Sequence, residues 1–113
     1  MGELSPVHIF LKKFLRIINI LVRFNMDRAN ILYSYIVNNA YVERVYFTPV
    51  LEKIKKEKYD KDFSIQLLKT TIGKVAKKYV EENFSKKVIY LTIFTISIIE
   101  EVAKKIFYEY VLV

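Results

Sequence analysis

The chain contains no cysteine and no tryptophan, a single histidine and a single glutamine, and only two glycines and two prolines in 113 residues. Without cysteine it has neither a disulfide framework nor a thiolate-bound zinc. One histidine, His8, cannot build a metal set without cysteine, so no metal and no cofactor are expected. The only glycines are Gly2 and Gly73, which removes G-x-G-x-x-G, the P-loop and G-x-S-x-G together. Scarcity of both chain-breaking residues also excludes collagen-like, disordered and turn-rich chains. Long apolar runs are missing too. Charge-free stretches such as Val88–Ile99 fall well short of the roughly 20 residues that span a bilayer, so no transmembrane segment is expected. Lys12, Lys13, Arg16 and Arg23 interrupt the apolar start, and no small-residue cleavage site follows. The sequence therefore reads as a soluble, cytoplasmic protein.

Aromatic and basic residues are abundant, with nine Tyr, eight Phe and a net charge of +7. A mass of 13.5 kDa suits one domain over residues 1–113. At that size roughly two-thirds of the unfolded surface can be buried, enough for a core without covalent staples. The charge is uneven. Residues 1–50 carry six basic and three acidic groups, residues 51–87 eleven and six, and residues 88–113 two and three. Lys outnumbers Arg by fifteen to four and Glu outnumbers Asp by nine to three. Together with a single Gln, two Met and no Cys, this points to a hyperthermophilic archaeon or one of its viruses or mobile elements.

Hydrophobic periodicity predicts an all-α bundle of four or five helices with a buried C-terminal helix. Ser5-Pro6 is a strong helix start. Residues 6–24 then carry two apolar rows, Phe10, Phe14, Ile17, Leu21, Phe24 and Leu11, Leu15, Ile18, Val22, against a polar stripe of Lys12, Arg16, Asn19 and Arg23. Two rows are more than one core-facing side requires. The second row, Leu11, Leu15, Ile18 and Val22, is the candidate self-association surface, and the expected state is a homodimer. Central packing of this helix, or a membrane-interfacial role for it, are the competing readings.

Asp27 is placed as the cap of a separate helix over residues 28–37, ending at Asn38-Asn39. A β-hairpin over 31–47 turning at those two asparagines is the α+β alternative. Thr48-Pro49 opens a helix to about Lys58. Beyond Asp60 and Asp62, the row Ile65, Leu68, Ile72, Val75 and Tyr79 marks a helix over 64–84, with Gly73 allowing close contact. Ser85 is placed as the cap of a last helix over 86–110, with one continuous helix over 64–110 as the alternative. Residues 88–107 are expected to form its buried centre, with Glu100–Lys104 and Glu101–Lys105 as supporting ion pairs.

No nucleophile, base and orienting partner recur together. The pairs Glu81/Glu82 and Glu100/Glu101 diverge by about 100° on a helix, and Asp60/Asp62 reads as helix-start polarity. The protein is therefore not expected to be an enzyme. The basic middle supplies the binding candidates Lys53, Lys56, Lys69, Lys74, Lys77 and Lys78, read as one lysine face for phosphate contact without base readout. DNA or RNA is the first partner class and an acidic protein the second. A peripheral membrane or inhibitory module using the N-terminal helix is the alternative function.

Overall fold

The computed structural model describes residues 5–84 and 90–112. It is helical throughout, with no strand among the described residues, and the helices pack as an all-α bundle. The order is α1 (Pro6–Val37), α2 (Ala40–Val42) running into a π-helical turn (Glu43–Phe47), α3 (Thr48–Glu57), α4 (Lys61–Asn83), α5 (Tyr90–Ile93) and α6 (Ile96–Ile106), closed by a second π-helical turn (Phe107–Val111).

Local chemistry sets most of the boundaries. The Ser5 hydroxyl accepts the His8 amide at 3.2 Å with Pro6 in the first helical position. Asn39 accepts the amide of Val42 at 3.1 Å, so Asn38-Asn39 is a break between helices and not a hairpin turn. The Asp60 carboxylate accepts the Phe63 amide at 2.8 Å, and Asp62 follows in the first turn of α4, where the helix dipole favours it.

Two boundaries differ from the sequence reading, and one of its alternatives is excluded. Asp27 starts no new helix. Residues 28–37 continue α1, which holds 32 residues and extends about 48 Å. Neither Gly nor Pro interrupts residues 24–32, and one amphipathic register runs through them, so the helix gains nothing by breaking. The last helix is divided, because Phe94 turns into the core and the Thr95 hydroxyl caps α6 through the Ile98 amide at 3.4 Å. A single helix over 64–110 is absent too, since Phe84 is extended (φ −128°, ψ 128°) where α4 stops. Ser85, placed as a cap from sequence, lies outside the described residues.

The core lies between α4 and α6, which make the most extensive helix contact, with the base of α1 against α6. Leu68, Ile72, Val75 and Ala76 of α4 are buried with Ile98, Val102, Ala103 and Ile106 of α6, and Leu32 and Ile36 of α1 join them. The α4 row read from sequence is thus the core row. The proposed buried centre over 88–107 holds at Phe94 and along the inner face from Ile98 to Phe107. Leu91 and Ile96 are exposed, Ile96 by 64%, on an open groove beside α4.

Tyrosines fasten α1 to this core. Tyr35 stacks edge-on against Tyr79 (4.9 Å between centroids), and Tyr79 against Phe94 (5.5 Å). The Tyr35 hydroxyl donates to Glu82 at 2.9 Å, and Tyr33 donates to Glu109. Arg28 donates to the carbonyl of Ile93 at 3.3 Å. Lys105 lies over the Tyr33 ring, 4.1 Å from its centroid, and the expected Glu101–Lys105 and Glu100–Lys104 pairs do not form. Among the described residues the ion pair is Lys78–Glu82.

Two stability outcomes follow from this arrangement. Leu68→Ala and Ile98→Ala should each cost about 2–5 kcal/mol in chemical denaturation, whereas Ile96→Ala should cost less than about 1 kcal/mol. Burial first, then the bond to Glu82, pushes the Tyr35 hydroxyl up to about 12, and the same causes, with Glu109, raise Tyr33. Both stay protonated in the folded chain at a pH where the unfolded chain ionises. Their contribution is therefore complete below about pH 10 and is lost as pH rises through the folded value. Urea midpoints should fall between pH 10 and 12, and Tyr35→Phe should flatten that fall.

Candidate interaction surfaces

From Val7 to Met26, α1 stands clear of the core. All thirteen large apolar side chains in that stretch are exposed, by 37 to 66%. Leu11, Leu15, Ile18 and Val22, the predicted self-association row, are among them, and so is the other row. Central packing of this helix is thereby ruled out. The protein has a body and an arm. The radius of gyration is 18.3 Å, against about 13 Å for a compact domain of this length. Its accessible surface is 8422 Å², about 1,900 Å² more than a monomer of this mass usually shows.

The arm is sided. At about 100° per residue, Phe10, Leu11, Phe14, Ile17, Ile18, Leu21 and Val22 occupy one half of the helix, while Lys12, Arg16, Asn19 and Arg23 share a stripe on the other. Phe10 and Phe14 lie with parallel rings 6.3 Å apart near the tip. His8 belongs to the cap, its Nδ1 2.6 Å from the Ser5 hydroxyl. Where the arm leaves the body, an apolar groove of about 660 Å³ opens between α1 and α6. Val22, Met26 and Ala29 form one wall and Ile98 and Val102 the other, with Ser97, Glu101 and Lys105 at the rim. Sequence reasoning missed this groove, because its two walls lie about 70 residues apart.

The lysines do not form one face. Lys69, Lys74 and Lys77 line a second groove, of about 530 Å³, between α4 and the α5–α6 joint, with Leu91, Ile96 and Ile99 as its apolar side. Lys78 stands nine residues from Lys69, about 180° around the helix. It pairs with Glu82 at 3.3 Å and lies 5.0 Å from the centroid of the Tyr41 ring. The hydrogen bond to Glu82 raises its affinity for the proton and uses part of its charge locally. Lys53 and Lys56 are exposed on α3, outside the groove. The six candidates thus divide into a set of three and three others.

Gly73 belongs to the groove wall, and a Cβ built on it would meet nothing within 4 Å. It therefore does not serve close packing inside the chain. Among the described residues, no three His, Cys, Asp or Glu side chains gather as metal ligands. No described helix is long and apolar enough to cross a membrane.

With open space at Gly73 in a helix interior, Gly73→Ala should raise stability by about 0.5–1 kcal/mol, read from thermal or urea unfolding. The chain matches no protein-family model, no curated protein and no solved structure.

Proposed function

We propose that this is a non-catalytic assembly protein, which self-associates through the arm of α1 and holds an anionic partner, nucleic acid before acidic protein, on the lysines of α4. One observation carries the reading. Some twenty residues of an otherwise packed chain present a continuous apolar surface larger than monomers usually leave in water. A homodimer is the simplest closed assembly that covers it.

The second half of the reading is supported by Lys69, Lys74 and Lys77 at one groove, in the segment of highest positive charge. Lysines act as mobile point charges, suited to phosphate contact without base selection. The Lys and Glu enrichment supports a hyperthermophilic archaeal or viral source.

The arm also favours a second reading, as an interfacial membrane anchor, because its polar stripe of Lys12, Arg16 and Arg23 suits anionic headgroups while the opposite side is apolar. Salt separates the two. Lysine–phosphate binding weakens steeply as salt rises, whereas insertion of an apolar helix face largely survives it.

Light scattering should give twice 13.5 kDa for the wild type. Leu11→Glu with Ile18→Glu should give a folded monomer, because both side chains are exposed on the arm. Replacing Lys69, Lys74 and Lys77 with Gln should leave the fold intact and weaken DNA and RNA binding irrespective of sequence. The salt slope should fall by about one unit for each phosphate no longer neutralised. No gel shift of wild-type protein at about 50 mM salt would remove the nucleic-acid half of the reading.

A further inference from the structure

We infer that two copies pair their arms antiparallel, so that the first turn of each arm seats in the apolar groove at the base of its partner's arm. The inference rests on the self-association reading and specifies its geometry.

The observation is a continuity. Inside the body, α1 faces α6 with Ala29, Leu32 and Ile36. Followed toward the N-terminus at helical spacing, the same stripe runs through Asn25, Leu21, Ile18, Phe14, Leu11 and Val7. Those six positions repeat at alternating intervals of about four and three, the spacing of a coiled-coil seam. The side that packs against a helix within the body thus keeps that character for about five more turns, where no helix among the described residues packs on it. The seam takes members from both apolar rows and runs between them.

The seam is also self-complementary when reversed. Val7 and Asn25, Leu11 and Leu21, and Phe14 and Ile18 are each equidistant from Arg16. An antiparallel pair centred on Arg16 therefore sets Val7 against Asn25, Leu11 against Leu21 and Phe14 against Ile18, on both sides of a two-fold axis. Moving the centre half a heptad toward the body would set Val7 level with buried Leu32, where α6 already stands. Moving it the other way would leave the base of each arm bare.

In this register the tip of one arm ends level with Met26 of the other and Phe10 lies level with Val22, and Met26 and Val22 both stand on the wall of the groove between α1 and α6. Val7 and Phe10 then reach the space walled by Met26, Ala29 and Ile98, so each groove is completed by the other copy. A parallel pair would set tip on tip and leave both grooves open. It would also stack Lys12, Lys13, Arg16 and Arg23 of one copy level with their equivalents. In the antiparallel pair only Arg16 is level with itself, and Arg16 points away from the seam. The surplus surface of about 1,900 Å² per chain is ample for an interface of the usual ~800 Å² a side.

The absence of cysteine makes the test direct. Val7→Cys and Ser97→Cys chains are mixed in equal amounts, exchanged and oxidised, and dimer mass is followed by light scattering. The expected result is a disulfide joining the two different chains, with Val7→Cys alone remaining uncrosslinked. In the antiparallel pair its two thiols would lie about 27 Å apart, far beyond the ~6 Å reach of a disulfide. A dimer in which Val7→Cys crosslinks to itself would overturn the register and leave self-association standing. A dimer with neither crosslink would overturn it equally. A wild-type monomer would end both readings, and its binding to phosphatidylcholine–phosphatidylglycerol vesicles would then give the arm to the membrane.

Discussion

Everything else in this protein hangs on the contact between α4 and α6. Leu68, Ile72, Val75 and Ala76 are fully buried against Val102, Ala103 and Ile106, and the remaining elements attach to the edges of that pair. Small residues at Ala76 and Ala103 let the helices approach, while the branched and long apolar side chains fill the space on either side. Phe47, Ile54 and Phe94 complete the buried cluster. A core of this size shelters only the last third of α1, from Ala29 onward.

The division of α1 is therefore a matter of available area. Over its last turns α1 is held by burial of Leu32 and Ile36, by the aromatic chain Tyr35–Tyr79–Phe94, and by the hydroxyl bonds from Tyr33 and Tyr35. Before Asp27 no such partner exists among the described residues. Propensity alone holds long helices weakly in water, and most helical stability comes from packing an amphipathic face. An arm whose apolar face is continuous with the packed one suits a helix completed by a partner, and supports reading assembly as its purpose.

Helix geometry likewise decides which lysines act together. Lys69, Lys74 and Lys77 reach one groove, while Lys78, adjacent in sequence to Lys77, turns to the other flank and meets Glu82 and Tyr41. Closeness along the chain says little about a shared surface when each residue advances by about 100°.

The sequence by itself determined the fold class, the helix start at Ser5, the breaks at Asn38-Asn39 and Asp60, and the core row of α4, because these depend on side chains a few residues apart. It also showed that the N-terminal helix carries more apolar surface than one packed side needs. It could not show that Asp27 lies inside a helix, since Asp caps or continues a helix according to what packs around it. Nor could it show that Ile96 faces solvent while Ile98 and Ile99 are buried, because periodicity blurs in a charge-free, largely apolar run such as 88–99 and the phase is set by α4. The two grooves and the exposure of the whole arm belong to the tertiary structure alone. Each depends on where a second helix, distant in sequence, ends up lying.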